Sequence, residues 1–411
     1  MRGGRVAVVG GSVAGCASAL AAHRGGADEI TVYERAADDL ADRGVGLAVH
    51  DARYAELESA GYLHAGMAWV QMERRRWYVR DGSTADPLGR TIAETPFPFR
   101  TYNWGPLWRE LHGRLPKTAV LRTATPVETL RPGPEGTAVG TATGEERYDL
   151  VIGADGYRST VRAAVFGDVR PAYAGYLAWR GALPESRLAD PSPWPDEVCA
   201  YAVFPGGHLI VYRIPDGSGG RRVNWVLYTS PPPDLDLGLG LGRGLRLTGP
   251  TSLPPGGLTE ALTAHLRHVA DELLPPFWGA LLHVTAPAER FLQPMYDFAA
   301  PRCSAGRVLL TGDAAAVARP HTGAGAVKAL QDATALESAL ASADTWDEAV
   351  AAYDGERTPS GRAMVDLGRR LGDALVLATP DWRTMDQTAL ETWWRRADGA
   401  GAFGGRVLRP S

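Results

Sequence analysis

The run Gly10-Gly11-Ser12-Val13-Ala14-Gly15 follows four apolar residues, Val6-Ala7-Val8-Val9, and Glu34 lies 19 residues beyond Gly15. Glycines at a strand-to-helix turn let the backbone approach a pyrophosphate, whose charge is favoured by the N–H groups and dipole of the following helix. A carboxylate about 20 residues further on suits a ribose diol. Ser12 stands where a second glycine is usual, so the turn alone would also fit an ordinary α/β connection. Its context and Glu34 favour a nucleotide. Two more apolar runs end on a glycine and an aspartate. One is Leu150-Val151-Ile152-Gly153-Ala154-Asp155-Gly156, continuing to Arg158, and the other is Val308-Leu309-Leu310-Thr311-Gly312-Asp313. Pro320-His321 and Gly323-Ala324-Gly325-Ala326 follow, at the head of a helical pattern.

The elements that must hold these groups are legible around them. Residues 5–34 read as a buried strand (Arg5 to Gly10), a turn, a helix rich in small residues (Val13 to Arg24), a Gly25-Gly26 stop and a second strand (Ile30 to Glu34). That is a βαβ unit. Between 69 and 180 short alternating runs such as Trp77-Tyr78-Val79-Arg80 predict hairpin strands. From Tyr173 to Ser230 aromatic and β-branched residues with Gly-containing turns predict an antiparallel sheet of its own, inserted into the first domain. Pro231 to Gly244 and Pro254 to Gly257 read as loops. After Ala326 the recurrence of Leu330, Ala333, Leu336 and Leu340 is helical, and Trp346 to Arg357 continues it. The residues after 365 read as helical and then glycine-rich, with no evident role.

Composition narrows the classes. The chain has 411 residues, 45% hydrophobic and 22% charged, which suits two or three packed units and excludes disorder as the main state. With 47 acidic and 43 basic residues the net charge is −4, so no broad positive field exists to hold a nucleic acid. Cys16, Cys199 and Cys303 lie far apart without metal or disulfide spacing, which points to no metal and a reducing compartment. Met1 to Arg5 runs into an apolar stretch too short for a signal core or a membrane span, so a cytoplasmic location is expected.

Taken together, the three glycine and aspartate motifs resemble the signature set of the FAD-dependent aromatic hydroxylases, the single-component flavoprotein monooxygenases that include para-hydroxybenzoate hydroxylase. The likeness spans roughly residues 5–365. It implies an α/β fold: a Rossmann-like FAD-binding domain (1–172 and 285–365) with an inserted antiparallel substrate sheet (173–284) and a C-terminal helical tail (366–411). Tyr173 to Gly181 and Arg319-Pro320-His321 are most similar to the subgroup that hydroxylates dihydroxypyridines.

The resemblance implies FAD held by Gly10, Gly11, Ser12, Val13, Ala14, Gly15 and Glu34. It adds Arg35, Arg43, Arg109, Val127, Asp155, Gly156, Arg158 and Asp313, and the helix start Gly323, Ala324, Gly325 and Ala326. An aspartate beside a pyrophosphate would repel it, so Asp155 and Asp313 are expected to accept hydrogen bonds from sugar or ribityl hydroxyls, or to fix the loop backbone. The family's glutamine and asparagine near the last glycines are replaced by Ala324 and Val327, which leaves backbone donors at the helix start to face the flavin.

NADH or NADPH is implied as co-substrate, visiting the flavin domain, and molecular oxygen is activated as a C4a-hydroperoxyflavin. The expected substrate is a small aromatic or heteroaromatic ring, a phenol or hydroxypyridine, whose ionised hydroxyl makes it a better nucleophile. His321, beside Pro320, is the leading catalytic candidate by its usual pKa. Arg180, His208, Tyr212 and Trp225 are substrate candidates, with a turn role for His208 and a packing role for Tyr212 and Trp225 as the competing expectations. Glu73-Arg74-Arg75-Arg76 reads as the solvent face of a strand rather than a phosphate-docking patch. The alternatives are an epoxidase or Baeyer-Villiger enzyme on a non-aromatic substrate, or a non-catalytic FAD-binding redox sensor. A homodimer stays open.

Overall fold

The computed structural model describes residues 3–37, 40, 46–231, 252–399, 401 and 403–405. The strand Arg5–Val9 is buried along its length after Arg5, as the central strand of a sheet covered on both faces must be. Val6 pairs in parallel with Ile30 on one side and Leu150 on the other, and Ile152 pairs in parallel with Leu309. The strands Leu150–Gly153, Arg5–Val9, Glu29–Tyr33 and Val308–Leu310 therefore end at one edge of the sheet. There the chain runs into Asp155, Gly10, Glu34 and Gly312. Ligands of open parallel sheets sit beyond such carboxyl ends.

The helix Val13–Arg24 is built of small residues because it must lie close to a second helix, Gly325–Ser342. A Cβ on Gly25 would come 2.5 Å from Cβ of Leu340.

A nine-stranded sheet stands beside this layer. Its order is Ala316–Val317, Arg290–Ala299, Ala172–Pro184, Arg221–Thr229, Gly207–Pro215, Val198–Phe204, Val70–Val79, Arg90–Asn103 and Gly46–His50. The sequence places this sheet within 173–284, whereas five of its strands come from earlier or later in the chain. The reason is a parallel join between Val198–Phe204 and Val70–Val79, with Val198 opposite Arg74. Local alternation carries no sign of so distant a pairing.

Each face of the sheet is covered differently. Trp179, Leu183 and Trp225 face the helices Glu260–His268 and Pro276–Val284. Trp77, Tyr201 and Tyr228 face the opposite way, toward the end of the helix Trp346–Gly372 and the helix Gln387–Asp398. The tail is thus a structural cover for the sheet. Trp382 donates its ring N–H to the Phe204 carbonyl at 3.2 Å, and Arg90 donates to the Arg383 carbonyl at 2.8 Å. Of the Pro231 to Gly244 loop, all beyond Pro231 lies outside the described residues. No helix among the described residues is long and apolar enough to cross a membrane.

Candidate active site

A cavity of 880 Å³ opens between the carboxyl edge of the parallel sheet and the nine-stranded sheet. At its nucleotide end the backbone demands glycine. Gly10 has φ +108°, and a Cβ there would come 2.4 Å from the Ala154 carbonyl oxygen. A Cβ on Gly15 would come 1.8 Å from the Gly10 carbonyl oxygen. Ser12 begins the helix without a side-chain cap, so the first N–H groups, at Val13 and Ala14, stay open to the cavity. Gly11 and Gly15 support this turn from behind and do not line the cavity.

The Gly11 peptide is held on both sides. Its N–H donates to Glu34 at 2.8 Å, and its carbonyl accepts the ring N–H of Trp108 at 2.9 Å. The other Glu34 oxygen accepts from Ala36 N–H at 2.8 Å. Glu34 is half-buried and lines the cavity, and with one bond on each oxygen its carboxylate keeps acceptor capacity.

Asp155 takes the loop-fixing alternative. Its carboxylate accepts from the Ser159 hydroxyl and from the N–H groups of Thr160 and Val161, at 2.5, 2.7 and 3.1 Å, and so anchors the start of the helix Thr160–Phe166. Burial pushes its pKa up despite these bonds. Gly156, Arg158, Arg35 and Val127 line the cavity beside it.

Asp313 is different. It lies deep in the protein yet its side chain is open to the cavity, and no hydrogen bond from a described residue reaches it. Burial raises its pKa, with Lys328 acting against the shift. The loop before it is clamped by a buried ionic cluster. Lys328 donates to the Gly312 carbonyl at 3.0 Å and to Asp332 at 2.7 Å. Asp332 also accepts Gly312 N–H at 2.8 Å and Arg357 at 2.7 Å.

Gly323 adopts a left-handed conformation, φ +62°, and turns the chain into the helix Gly325–Ser342, whose cap, Ala324, makes no side-chain hydrogen bond. Gly323 to Ala326 line the cavity; the Gly323 and Ala324 N–H groups are taken by the Pro320 carbonyl and the Thr322 hydroxyl, which leaves those of Gly325 and Ala326 as the donors at the helix start.

Several expectations are corrected. Arg109 is exposed and does not line the cavity, because the face of the helix Trp104–Gly113 that turns inward carries Trp104 and Trp108. Arg43 lies outside the described residues. Trp225 points away from the cavity into the core under the two helices, where its N–H donates to the Thr285 hydroxyl at 2.9 Å. Strand alternation puts Val226 and Tyr228 on the cavity side instead. His208 is neither a turn residue nor a lining one. It is fully buried in the strand Gly207–Pro215, stacked on Tyr228 and 3.2 Å from the Leu375 carbonyl, with its pKa lowered to about 3 by burial.

Tyr212 and Arg180 do reach the cavity, and the Tyr212 hydroxyl donates to the Gly46 carbonyl at 2.9 Å. The 73–76 tract is only partly a solvent face. Arg74 and Arg76 pair with Glu94, whereas Arg75 is buried in a cage of aromatic rings.

His321 lines the cavity within the turn Pro320–Thr322. Its Nε2 is 2.8 Å from the Tyr176 hydroxyl, and its buried Nδ1 has no partner among the described residues. Burial, then the neighbouring His208, Arg319 and Arg180, push its pKa well below the usual value. The near-neutral titration expected from its residue type is therefore absent, and the ring is neutral at pH 7. Pro320 also lines the cavity, and its carbonyl accepts Gly323 N–H at 3.0 Å to close the turn that carries His321.

Sequence reasoning missed Trp108, Tyr176, Tyr201, Tyr228 and the Lys328, Asp332 and Arg357 cluster. Only the first offered a signal, beside the arginine chosen in its place.

The donor set fits FAD: an uncapped helix start for phosphate, an acid beside it, and a cavity-facing carboxylate with spare acceptor capacity for hydroxyls. This defines a nucleotide-binding enzyme with a roofed site. Residues 173–297 match a family model described as FAD binding domain-like, and residues 270–368 match one described as FAD binding domain. A 2,6-dihydroxypyridine 3-monooxygenase of Paenarthrobacter nicotinovorans is 30% identical, over 90% of this chain and 91% of its own. A 3-amino-4-hydroxybenzoate 2-monooxygenase of Streptomyces cremeus is 31% identical, over 93% and 91%. The solved 2,6-dihydroxypyridine-3-hydroxylase from Arthrobacter nicotinovorans superposes with a TM-score of 0.78 at 27% identity, covering 91% of this chain and 93% of that one. The chain belongs to the FAD-dependent aromatic hydroxylases, oxidoreductases that use NAD(P)H and dioxygen to hydroxylate a small aromatic ring.

Proposed function

We propose that the substrate is a small hydroxylated ring bound as an anion, of the hydroxypyridine or hydroxybenzoate kind that the relatives' names describe. The observation that carries this reading is Arg180. Among the described residues that line the sheet side of the cavity it is the one charged side chain, and its buried Nε has no hydrogen-bond partner among them. A guanidinium left unpaired in a low-dielectric wall favours a bound anion.

Bound FAD supplies the redox chemistry, accepting electrons from NAD(P)H and delivering oxygen to the ring. Glu34, the helix start at Val13 and Ala14, and Asp313 would hold it. The chain's own residues do the rest. Arg180 stabilises an ionised ring hydroxyl, which enriches the ring in electrons. Neutral His321, held 2.8 Å from the Tyr176 hydroxyl through Nε2, orients the ring by contact as part of the cavity wall, and its lowered pKa makes it a poor base. Tyr201, Tyr212 and Tyr228 wall the ring and exclude water.

A panel of hydroxypyridines, phenols and hydroxybenzoates, scored for faster NAD(P)H oxidation with the product identified, tests the reading. At least one anionic ring is expected to accelerate oxidation and to gain a hydroxyl. A protein indifferent to every member would refute it. Arg180→Met is expected to weaken that ligand about 10- to 100-fold, the range for losing a charged hydrogen bond, with FAD affinity unchanged. His321→Ala is expected to lower the ratio of product to NAD(P)H consumed more than it lowers FAD binding. An unchanged ratio would remove His321 from the mechanism.

A further inference from the structure

Phe403 comes from a short turn, Phe403–Gly405, far along the chain from the sheet, yet it lines the active-site cavity. Its ring lies 5.5 Å from that of Phe99, edge to face, and 6.0 Å from that of Phe97, both on the strand Arg90–Asn103 and both lining the same cavity. On its other side it reaches the flavin-facing turn, where a Cβ on Gly323 would come 3.6 Å from Phe403 Cζ. One aromatic ring from the tail therefore fills the corner between the substrate sheet and the start of the helix Gly325–Ser342.

The placement is enforced by contacts that have no other evident purpose. Phe403 N–H donates to the buried carboxylate of Asp398 at 2.7 Å. Gly404 has φ +73°, and a Cβ there would come 2.7 Å from Phe99 Cζ, so only glycine lets the turn press this close. Arg75, buried at the centre of the aromatic cage, sits 3.8 Å from the Trp394 ring and 5.3 Å from that of Phe403. A desolvated guanidinium attracted by several ring faces ties the tail to the strand Val70–Val79.

We infer that Phe403 sets the size limit of the substrate ring, with the C-terminal tail serving as one wall of the active site. This rests on the aromatic cavity proposed above. Trimming the ring opens a dry apolar pocket beside the substrate, and a larger ring fills the corner.

The test measures dissociation constants from the change in flavin absorbance for phenol and its para-methyl, para-propyl and para-phenyl derivatives. The holoproteins compared are wild type, Phe403→Ala, Phe403→Leu and Phe403→Trp. In Phe403→Ala the propyl and phenyl compounds are expected to tighten about tenfold or more relative to phenol, the order expected when such groups enter a buried void. Phe403→Leu is expected to fall between, and Phe403→Trp to disfavour everything larger than phenol. Because Leu and Trp keep an apolar plug, they remain informative if the alanine variant fails to fold. A wild type that binds the phenols with a size order unchanged in every folded variant overturns the inference alone. A wild type that binds none of them overturns the inference, and one that also ignores every hydroxypyridine and hydroxybenzoate overturns the aromatic reading with it.

Discussion

Asp332→Ala is expected to destabilise the protein by about 3–5 kcal/mol, the usual cost of removing one partner from a buried ionic group, and to release FAD. Asp332 is 1% exposed and is the only acid among the described residues that bonds both buried cations, Lys328 and Arg357. Without it two positive charges face each other in the core, and the Gly312 N–H loses its acceptor. Gly312 is held at φ +54° with no room for a side chain, since a Cβ would come 2.8 Å from Cβ of Ala14. The residue after it is Asp313, so a loosened Gly312 misplaces the carboxylate that faces the cavity and is proposed to hold FAD. Urea midpoints and FAD retention on gel filtration would report both effects. A loss below about 1 kcal/mol would mean that the cluster does not clamp the loop. Replacing all three members by apolar residues of similar volume should recover most of the stability, because it also removes the desolvation cost.

The acid limb follows from the same group. Burial alone would raise the Asp332 pKa, but Lys328 and Arg357 outweigh it and hold the carboxyl below its usual range. A depressed carboxyl contributes stability above its unfolded pKa of about 3.9, and loses it as pH falls through the folded value. Asp332→Asn should therefore flatten the stability profile below about pH 4.

The parts of this molecule that were legible in the sequence are those that act locally. The turn at Gly10 to Gly15 carries its own reason, since each glycine is required by an atom a few residues away or on an adjacent parallel strand. The helix Val13–Arg24 is announced by its small residues and the Gly25-Gly26 stop, and the helix Gly325–Ser342 by its periodicity. The choice of Trp225 over Val226 and Tyr228 failed because alternation identifies two faces without saying which is the cavity. That is settled only when the helices at 260–284 and the tail take their places. Arg75 failed more deeply. A strand residue between two surface arginines has no local mark of burial, and its cage is assembled from the strands Val70–Val79, Arg90–Asn103 and Val198–Phe204 together with the C-terminal tail. His321 lines the cavity, but its titration depends on neighbours at 176, 180, 208 and 319 that sequence distance conceals.

Asp313 should show two effects of opposite sign. In the protein without cofactor its side chain opens to the cavity with no hydrogen-bond donor among the described residues, and its depth in the protein raises its pKa. A raised carboxyl favours the fold when protonated, and that contribution fades as pH rises through the folded pKa. The ionised group is therefore a burden on the apoprotein at pH 7, and Asp313→Asn is expected to raise the apoprotein melting temperature there. The same substitution should weaken FAD about 10- to 100-fold, since a charged acceptor for ribityl hydroxyls is worth roughly 1.5–3 kcal/mol. Hydroxyls donating to the carboxylate favour its ionised form, so FAD binding must expel a proton wherever the free protein holds one. Wild-type FAD affinity should accordingly fall as pH drops below the raised pKa of Asp313, and the Asn variant should lose that dependence. Melting curves of the apoproteins and fluorescence titrations of FAD across pH decide it: a variant that binds FAD as tightly as wild type, with the same pH profile, would show that Asp313 does not hold the cofactor.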